Sequence, residues 1–213
     1  SAAARLFFRM MDLVTGGRTT LPKAKLIETL AVVPYRAWER RQYARMSRLY
    51  RDGVAVAGAR AVMEWGREAQ DNEYMHLLVI NEKMKEDGVK DPWYLFPAIP
   101  WCMAAGYAVL SGVMAFVDIR RAFLFNAEFE DHAEHVYADF VARHPEWETQ
   151  RVNNKVVSEY SGEGTWAGVF RRVGLDERDH MNNSFRFAGR ANWVVRYEGM
   201  PDEAVPPRPA AAS

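Results

Sequence analysis

The sequence has little cysteine and no obvious linker. Its single cysteine, Cys102, has no partner for an internal disulfide, and because it lies within an apolar run we expect it to be a small buried side chain. No Gly-, Ser- or Pro-rich segment divides the 213 residues, so residues 1–200 are predicted to form one domain. Residues 201–213 form a Pro/Ala-rich tail whose composition does not favour independent folding.

Strand signals are also scarce, because apolar and polar residues seldom alternate between hairpin turn residues. Helix-forming residues are abundant, and apolar residues recur at three- and four-residue spacing. These patterns predict an all-α fold. The predicted helices cover residues 3–15, 22–51, 59–87, 122–142 and 165–190, with another beginning near residue 149.

The net charge is zero, but its distribution is uneven. Residues 1–51 contain eleven Lys and Arg side chains against three acidic ones, and apolar residues lie among the first of these charges. This pattern favours an amphipathic helix at a membrane surface over a nucleic-acid interface. A solvated basic face with a docked terminal helix is the alternative.

Residues 95–117 contain no charged side chain, and these 23 residues are enough to cross a bilayer. Pro97 and Pro100 interrupt its start, and Gly106 and Gly112 weaken its middle. We therefore expect a helix that is buried or dips into the membrane, rather than one that crosses it.

Two Glu-x-x-His pairs carry the most specific chemical signal. The pairs are Glu73/His76 and Glu177/His180, and each follows an isolated glutamate on another predicted helix, by 45 residues in one case and 47 in the other. A three-residue spacing places both side chains on one helix face. The isolated glutamates are Glu28 and Glu130. One Glu from each of two helices, with a Glu-x-x-His from each of two more, is the ligand set of di-iron and di-manganese bundles.

Three further residues fit such a centre. Tyr137 lies seven residues after Glu130, hence on the same helix face two turns later. Asp176 precedes Glu177 and is placed to accept a hydrogen bond from a ligating imidazole. His132 and His135 are expected to point away from the centre. The alternative interpretation of the whole set is helix ion pairs and satisfied core histidines.

The four ligand segments resemble those of the alternative oxidase family, including its plastid terminal oxidase branch. Leu-Ile-Glu-Thr resembles the family's Leu-Glu-Thr, and Asn-Glu-Tyr-Met-His-Leu resembles its Asn-Glu-Arg-Met-His-Leu. Phe-Glu-Asp-His-Ala and Leu-Asp-Glu-Arg-Asp-His correspond to the other two boxes. The resemblance implies a ferritin-like four-helix di-iron bundle with additional short membrane-facing helices. It also assigns as metal ligands Glu28, Glu73, His76, Glu130, Glu177 and His180.

The resemblance implies further roles. Tyr137 matches the family's essential tyrosine, and Asn72 and Asp176 match residues that support the ligands. The implied quinol-binding residues are Lys23, in place of an arginine, Ile27, in place of a leucine, and Arg9 and Asp12, at a spacing one residue shorter than in the family. Gly174 replaces the arginine of the last box.

The implied activity is that of a quinol oxidase with two iron ions, which takes electrons from ubiquinol or plastoquinol and reduces dioxygen to water. It implies a monotopic protein of the mitochondrial inner membrane or the thylakoid, as a homodimer or in a larger complex, with no nucleic-acid partner. Three alternatives are an accessory subunit of a larger respiratory or photosynthetic membrane complex, a di-iron quinone-ring hydroxylase and, least favoured, a ferritin-like storage protein.

Overall fold

The computed structural model describes residues 1–200, in which six α-helices account for most of the chain. They are α1 (Ala2–Thr15), α2 (Leu21–Arg48), α3 (Gly53–Glu86), α4 (Ala98–Arg143), α5 (Lys155–Tyr160) and α6 (Trp166–Phe187). Short 3₁₀ turns cover Trp93–Leu95, Pro145–Glu148 and Ala191–Trp193. Within these residues the only β pairing is one isolated bridge, between Arg151 and Thr165. The all-α prediction is confirmed, whereas the predicted tail at 201–213 lies outside the described residues.

Side chains at the helix starts explain most of the boundaries. Thr20 accepts a hydrogen bond from the Lys23 amide at the start of α2, and Thr165 accepts one from the Gly168 amide at the start of α6. Each bond satisfies an amide that has no partner within its own helix. The two caps fix where the helices that carry Glu28 and Glu177 begin.

Two predicted helix starts are wrong. Helix α3 begins at Gly53 rather than near residue 59, because Asp52 accepts hydrogen bonds from the amides of Val54 and Ala55 and offsets the cost of the glycines. The helix expected near residue 149 begins at Lys155 instead, where Asn154 provides the cap, and the preceding segment forms only a 3₁₀ turn.

Helix α4 is kinked at Asp118, where φ is −155° and ψ is 100°. The Asp118 carboxylate accepts a 3.0 Å hydrogen bond from the Arg120 amide and so caps the second half of the helix. The first half, residues 98–117, contains most of the apolar segment, and the second half carries Glu130. The kink therefore separates an apolar arm from the helix that contributes to the interior.

The expectation that Cys102 is buried is wrong, because its side chain is exposed. The first half of α4 is covered on one side only, by residues such as Phe7 of α1, which packs against Tyr107 at a ring separation of 5.2 Å. Cys102 lies outside this contact, next to the exposed Trp101. Apolar neighbours in the sequence did not indicate which face of the helix would be covered.

The four long helices surround a common interior. Helix α3 packs mainly on α2, α6 mainly on α4, and α2 also on α4, while α1 lies across α2 and α4. An aromatic cluster that includes Trp38 and Trp65 fills one end of the interior. A second cluster, which includes Phe140, Trp166 and Phe170, fills the other. The polar residues described next lie between these clusters.

Candidate metal centre

Six carboxylate and imidazole side chains meet in the interior of the four long helices. Helices α2 and α4 each contribute one glutamate, while α3 and α6 each contribute a Glu-x-x-His pair. None is more than 6% exposed. Ionised groups this deeply buried are costly unless they are paired or bind a metal ion. The six are the predicted ligands Glu28, Glu73, His76, Glu130, Glu177 and His180.

The six residues form two groups of four that share two members. In each group one ligand atom per residue lies within 4.8 Å of all the others. One group contains Glu28 and His76, the other contains Glu130 and His180, and Glu73 and Glu177 belong to both. The arrangement offers two adjacent cation positions, each with one glutamate and one histidine of its own.

The orientation of the shared carboxylates supports this division. The Nδ1 atom of His76 is 3.0 Å from Glu177 Oε1 and 3.5 Å from Glu73 Oε2. The Nδ1 atom of His180 is 2.9 Å from Glu73 Oε1 and 3.7 Å from Glu177 Oε2. Each shared carboxylate thus directs one oxygen to each histidine, which is the orientation a bridging ligand requires.

Eight buried atoms of these residues have no hydrogen-bond partner within the described residues. Such atoms are rare in proteins, since an unsatisfied buried polar group costs about 1–3 kcal/mol. Most of the unpartnered buried side-chain atoms of residues 1–200 are concentrated here, on the six ligand residues, where bound cations would satisfy them together. They are Glu28 Oε2, both oxygens of Glu73 and of Glu177, Glu130 Oε2, and the Nδ1 atoms of His76 and His180.

The second oxygens of Glu28 and Glu130 are held by tyrosines. The hydroxyl of Tyr137 donates to Glu28 Oε1. The hydroxyl of Tyr35 donates to Glu130 Oε1 at 2.7 Å, and Asn126 Nδ2 donates to the same oxygen at 2.8 Å. In both glutamates the bonded oxygen is Oε1, so the unpartnered Oε2 is left for a cation.

Asp176 orients one of the histidines. His76 Nε2 lies 3.3 Å from Asp176 Oδ2, and the same oxygen accepts hydrogen bonds from Asn72 Nδ2 at 3.2 Å and from the Tyr160 hydroxyl at 2.5 Å. A proton on Nε2 leaves the lone pair of Nδ1 directed at the centre. Arg172 pairs with the other oxygen of Asp176. Asn72 and Asp176, which the resemblance predicted to support the ligands, thus contact each other, and Asp176 contacts His76.

Burial and mutual repulsion shift the pKa values of the carboxyl groups. Burial raises the pKa of Glu28 well above its ordinary value, and the nearby Glu177 and Glu73 raise it further. Burial followed by Glu73 and Glu177 does the same to the pKa of Glu130. For Glu73 burial also raises the pKa, but the nearby histidines outweigh it and the net shift is downward. Without a cation, the centre retains protons that a metal ion would displace.

The pKa values of the two histidines are also shifted in the direction that retains protons. Burial lowers the pKa of His76, but Tyr160 and the surrounding carboxylates raise it well above its ordinary value. Burial also lowers the pKa of His180, and Glu73 outweighs it. Both imidazoles therefore favour their protonated form while the carboxylate charge is uncompensated.

Three of the four predicted quinol-binding residues lie together. Asp12, Lys23 and Ile27 line a cavity of about 110 Å³ between α1 and α2. Lys23 is 8% exposed, pairs with Asp12 and donates a 3.0 Å hydrogen bond to the Gly16 carbonyl. Arg9 is exposed and does not line this cavity. His132 also lies at its edge, on the protein surface.

The sequence reasoning missed Tyr35, Asn126 and Tyr160 as parts of the centre. Tyr35 lies seven residues after Glu28, which is the offset that identified Tyr137 after Glu130. The same helical periodicity was therefore available for it. Asn126 and Tyr160 gave no comparable signal, because their contacts depend on how the helices pack.

Exposed apolar side chains lie on α1 and on the first half of α4. Phe116 and Val117 are 81% and 75% exposed, and Leu13 of α1 is 79% exposed. Within residues 1–200, only the helix Ala98–Arg143 has the length and the apolar composition to cross a membrane. Exposed apolar surfaces of this kind mark contacts with a membrane or another protein.

The geometry establishes a buried set of oxygen and nitrogen ligands able to hold metal ions. Mixed carboxylate and imidazole donors suit iron or manganese, whereas a structural zinc site uses more Cys and His. Comparisons with models of known protein families and with curated protein sequences found no match to this chain.

Proposed function

We propose that this protein is a membrane-associated quinol oxidase of the alternative oxidase type, with a di-iron centre held in a ferritin-like bundle. The observation that carries the proposal is the pair of overlapping four-residue groups, with Glu73 and Glu177 common to both. The chain contributes ligands from α2, α3, α4 and α6 in the pattern that di-iron carboxylate bundles use.

Bound iron would supply the redox chemistry that the reduction of dioxygen requires. Reduction of one dioxygen to two waters takes four electrons and four protons, which two quinols supply as they become two quinones. Because Glu73 and Glu177 each direct an oxygen to both cation positions, they would keep the two ions close together. His76 and His180 would each hold one ion.

Tyr137 is the candidate catalytic residue. Its hydroxyl donates to Glu28 while its ring is fully buried against Phe170, at a ring separation of 5.8 Å. Burial and then Glu28 raise its pKa well above the ordinary value, so the hydroxyl keeps its proton at neutral pH. A protonated phenol beside the centre can donate a hydrogen bond or a hydrogen atom to a reacting oxygen.

The quinol would bind at the cavity lined by Asp12, Lys23 and Ile27. Asp12 and Lys23 offer an acceptor and a donor for the two hydroxyl oxygens of a quinol, while Ile27 offers apolar contact to its ring. Ile27 precedes Glu28 on α2, and Val136, which also lines this cavity, precedes Tyr137 on α4. Arg9 is assigned to the membrane-facing rim instead.

The apolar surface of α1 and α4 would lie in one leaflet of the membrane from which quinol enters. Leu13 and Phe116 belong to this surface, and the exposed Arg9, Arg120 and Arg121 lie at positions suited to anionic headgroups. This is the monotopic arrangement that the resemblance implies. The membrane we propose is a respiratory or photosynthetic membrane of an organelle, either the mitochondrial inner membrane or the thylakoid.

The direct test is oxygen uptake by the purified, iron-loaded protein. We expect quinol-dependent uptake that cyanide does not inhibit, with quinone and water as products. Glu73→Ala should abolish it and Glu64→Ala, an exposed glutamate on the same helix, should not. Uptake that persists in Glu73→Ala contradicts the proposal, and a hydroxylated quinone product would indicate a ring hydroxylase instead.

One observation favours a second candidate, an accessory subunit of a larger membrane complex. Lys23 pairs with Asp12 and donates to the Gly16 carbonyl, so two of its three N–H donors are already used within the protein. In such a subunit the apolar surface would contact neighbouring chains. Iron-loaded protein with no quinol oxidase activity, recovered from native membranes only within a larger complex, would support this candidate.

A further inference from the structure

A groove of about 740 Å³ runs along the face of the molecule where α3, α5 and α6 meet. It exists because α3 packs mainly on α2 and α6 mainly on α4, so these two helices make few contacts with each other. The groove lies on α3, α5 and α6, whereas the cavity at Lys23 lies between α1 and α2. None of the roles proposed above uses it.

The floor of the groove touches the metal centre. His180 lines the groove and is more than nine-tenths buried. On the other side, its unpartnered Nδ1 atom lies 2.9 Å from Glu73 Oε1. The imidazole ring of His180 therefore contacts both the groove and the centre.

Asp176 provides a second contact between the groove and the centre. It lines the groove, and its Oδ2 atom lies 3.3 Å from His76 Nε2. Both histidines of the centre are thus reached from this groove, one directly and one through a carboxylate.

The groove is strongly acidic. Five carboxylates line it, on all three helices, against a single basic residue, Arg172, which is paired with Asp176. A cleft with walls of one charge sign concentrates ions of the opposite sign and raises their association rate by about 10–10³-fold. The five are Glu68, Asp71, Glu159, Asp176 and Asp179.

A second groove, of about 390 Å³, also touches the centre, at Glu28 between α2 and α3. Apart from Glu28, its only carboxylate is Asp71, and Arg36 balances that charge. It therefore lacks the field that would attract a cation. Because the first groove carries more negative charge than the second, a positively charged solute is attracted to the first groove more strongly.

We propose that the acidic groove is the route by which divalent metal ions of the Fe²⁺ class reach the centre. Glu68 on α3 and Glu159 on α5 attract the hydrated ion, and Asp176 and His180 receive it beside the centre. The proposal rests on the metal centre of the proposed function, but not on its quinol or dioxygen chemistry.

The test uses the metal-free protein and Co²⁺ as the probe, because Co²⁺ bound by carboxylates and imidazoles is coloured and its uptake can be followed in a stopped-flow instrument. The variant Glu68→Gln/Glu159→Gln removes two groove charges and leaves every ligand in place. Glu68→Lys/Glu159→Lys reverses them. Asp91→Asn/Glu146→Gln makes the same change in net charge at two exposed positions outside the groove.

We expect Co²⁺ uptake at low ionic strength to be about three- to tenfold slower in Glu68→Gln/Glu159→Gln, and slower still in the lysine variant. The difference should shrink at high salt, while the final Co²⁺ content stays that of the unmodified protein. Uptake by the groove variants at the rate of the control variant overturns the proposal. Failure of the unmodified protein to bind Co²⁺ would instead overturn the metal centre itself.

Discussion

The hydroxyl of Tyr35 on α2 donates a 2.7 Å hydrogen bond to Glu130 on α4. A second hydrogen bond runs in the other direction between the same two helices, from the hydroxyl of Tyr137 on α4 to Glu28 on α2. Each tyrosine lies seven residues after the glutamate of its own helix and binds the glutamate of the other. The two halves of the centre are therefore supported in the same way, by exchanged tyrosines.

This exchange predicts that each tyrosine controls one metal position. Tyr35→Phe removes the hydrogen-bond donor to Glu130, and Tyr137→Phe removes the donor to Glu28. Each substitution should therefore lower the affinity for one of the two bound ions by about 10–100-fold. Calorimetric titration of the metal-free protein with Co²⁺ would resolve the two affinities. The control is Tyr43→Phe, at an exposed tyrosine of α2, the helix that carries Tyr35.

Loss of both ions in either tyrosine variant, with the fold intact by circular dichroism, would contradict this independence. The opposite result, no change in either affinity, would show that Asn126 alone is sufficient to hold Glu130. Its amide lies 2.8 Å from the same oxygen.

The ligands were predictable from the sequence because their spacing is local. Glu73 and His76 lie on one face of α3 whatever the helix packs against, and the same holds for Glu177 and His180 on α6. The second pair follows its isolated glutamate at nearly the same distance as the first, which predicted that four helices would contribute together. The structure brings these residues together as that spacing requires.

Contacts between helices were not predictable in the same way. Asn126 binds Glu130 and also lies 3.2 Å from Ser184 on α6, a contact that depends on the packing of α4 against α6. Cys102 was misassigned because an apolar neighbourhood does not reveal which face of a helix is covered. The start of α3 was misplaced because the Asp52 cap outweighs the glycines that follow it.

The shared and unshared glutamates predict different losses of metal. Glu73→Ala removes an oxygen donor from both cation positions, so we expect about no metal per chain after loading and desalting. Glu28→Ala removes a donor from one position and should leave about one ion per chain. Elemental analysis of variants loaded in parallel gives the comparison, and equal metal content in the two variants would contradict the bridging role of Glu73.

The apolar surface predicts a specific effect on membrane binding. Phe116→Glu places a charge at the most exposed apolar position of α4, where Phe116 is 81% exposed. A buried charge in a bilayer interface costs about 1–3 kcal/mol, so binding to lipid vesicles should weaken by roughly tenfold or more. Cosedimentation with vesicles measures this binding. The control variant Val89→Glu, beyond the end of α3, should bind vesicles as the unmodified protein does. Equal binding by both variants would indicate that this surface contacts protein instead.

A buried lysine supports the end of the bundle away from Trp38. Lys83 is fully buried, with its ammonium 4.9 Å from the Trp147 ring, 5.1 Å from the Trp166 ring and 2.7 Å from Asp87. Lys83→Ala removes these contacts and leaves a cavity, so we expect a loss of about 2–4 kcal/mol of unfolding free energy.

Urea denaturation gives that value directly. Lys83→Met retains the apolar stem between the two tryptophans, so it should lose less unfolding free energy than Lys83→Ala. Lys85→Ala, at an exposed position, should change the unfolding free energy by about 0.5 kcal/mol or less. A Lys83→Ala variant as stable as Lys85→Ala would show that the tryptophans pack equally well without the cation.

The proton-retaining centre predicts how the stability of the metal-free protein depends on pH. The pKa values of Glu28 and Glu130 are raised by burial and by neighbouring carboxylates, and those of His76 and His180 are raised by the carboxylates that face them. The folded protein therefore binds more protons than the unfolded chain above the ordinary pKa of these groups. Their stabilising contribution is complete below the unfolded pKa and is lost as pH rises through the folded pKa.

Between about pH 7 and pH 9, the melting temperature of the metal-free protein should consequently fall. His132 does not oppose this trend, because its lowered pKa places its titration below the window. Glu28→Gln/Glu130→Gln replaces the two carboxyls by neutral groups of the same size and should flatten the fall. Bound metal should flatten it as well, since a divalent ion compensates the carboxylates that deprotonation leaves unpaired. A melting temperature that rises with pH in the metal-free protein would show that the carboxylates are solvated rather than buried together.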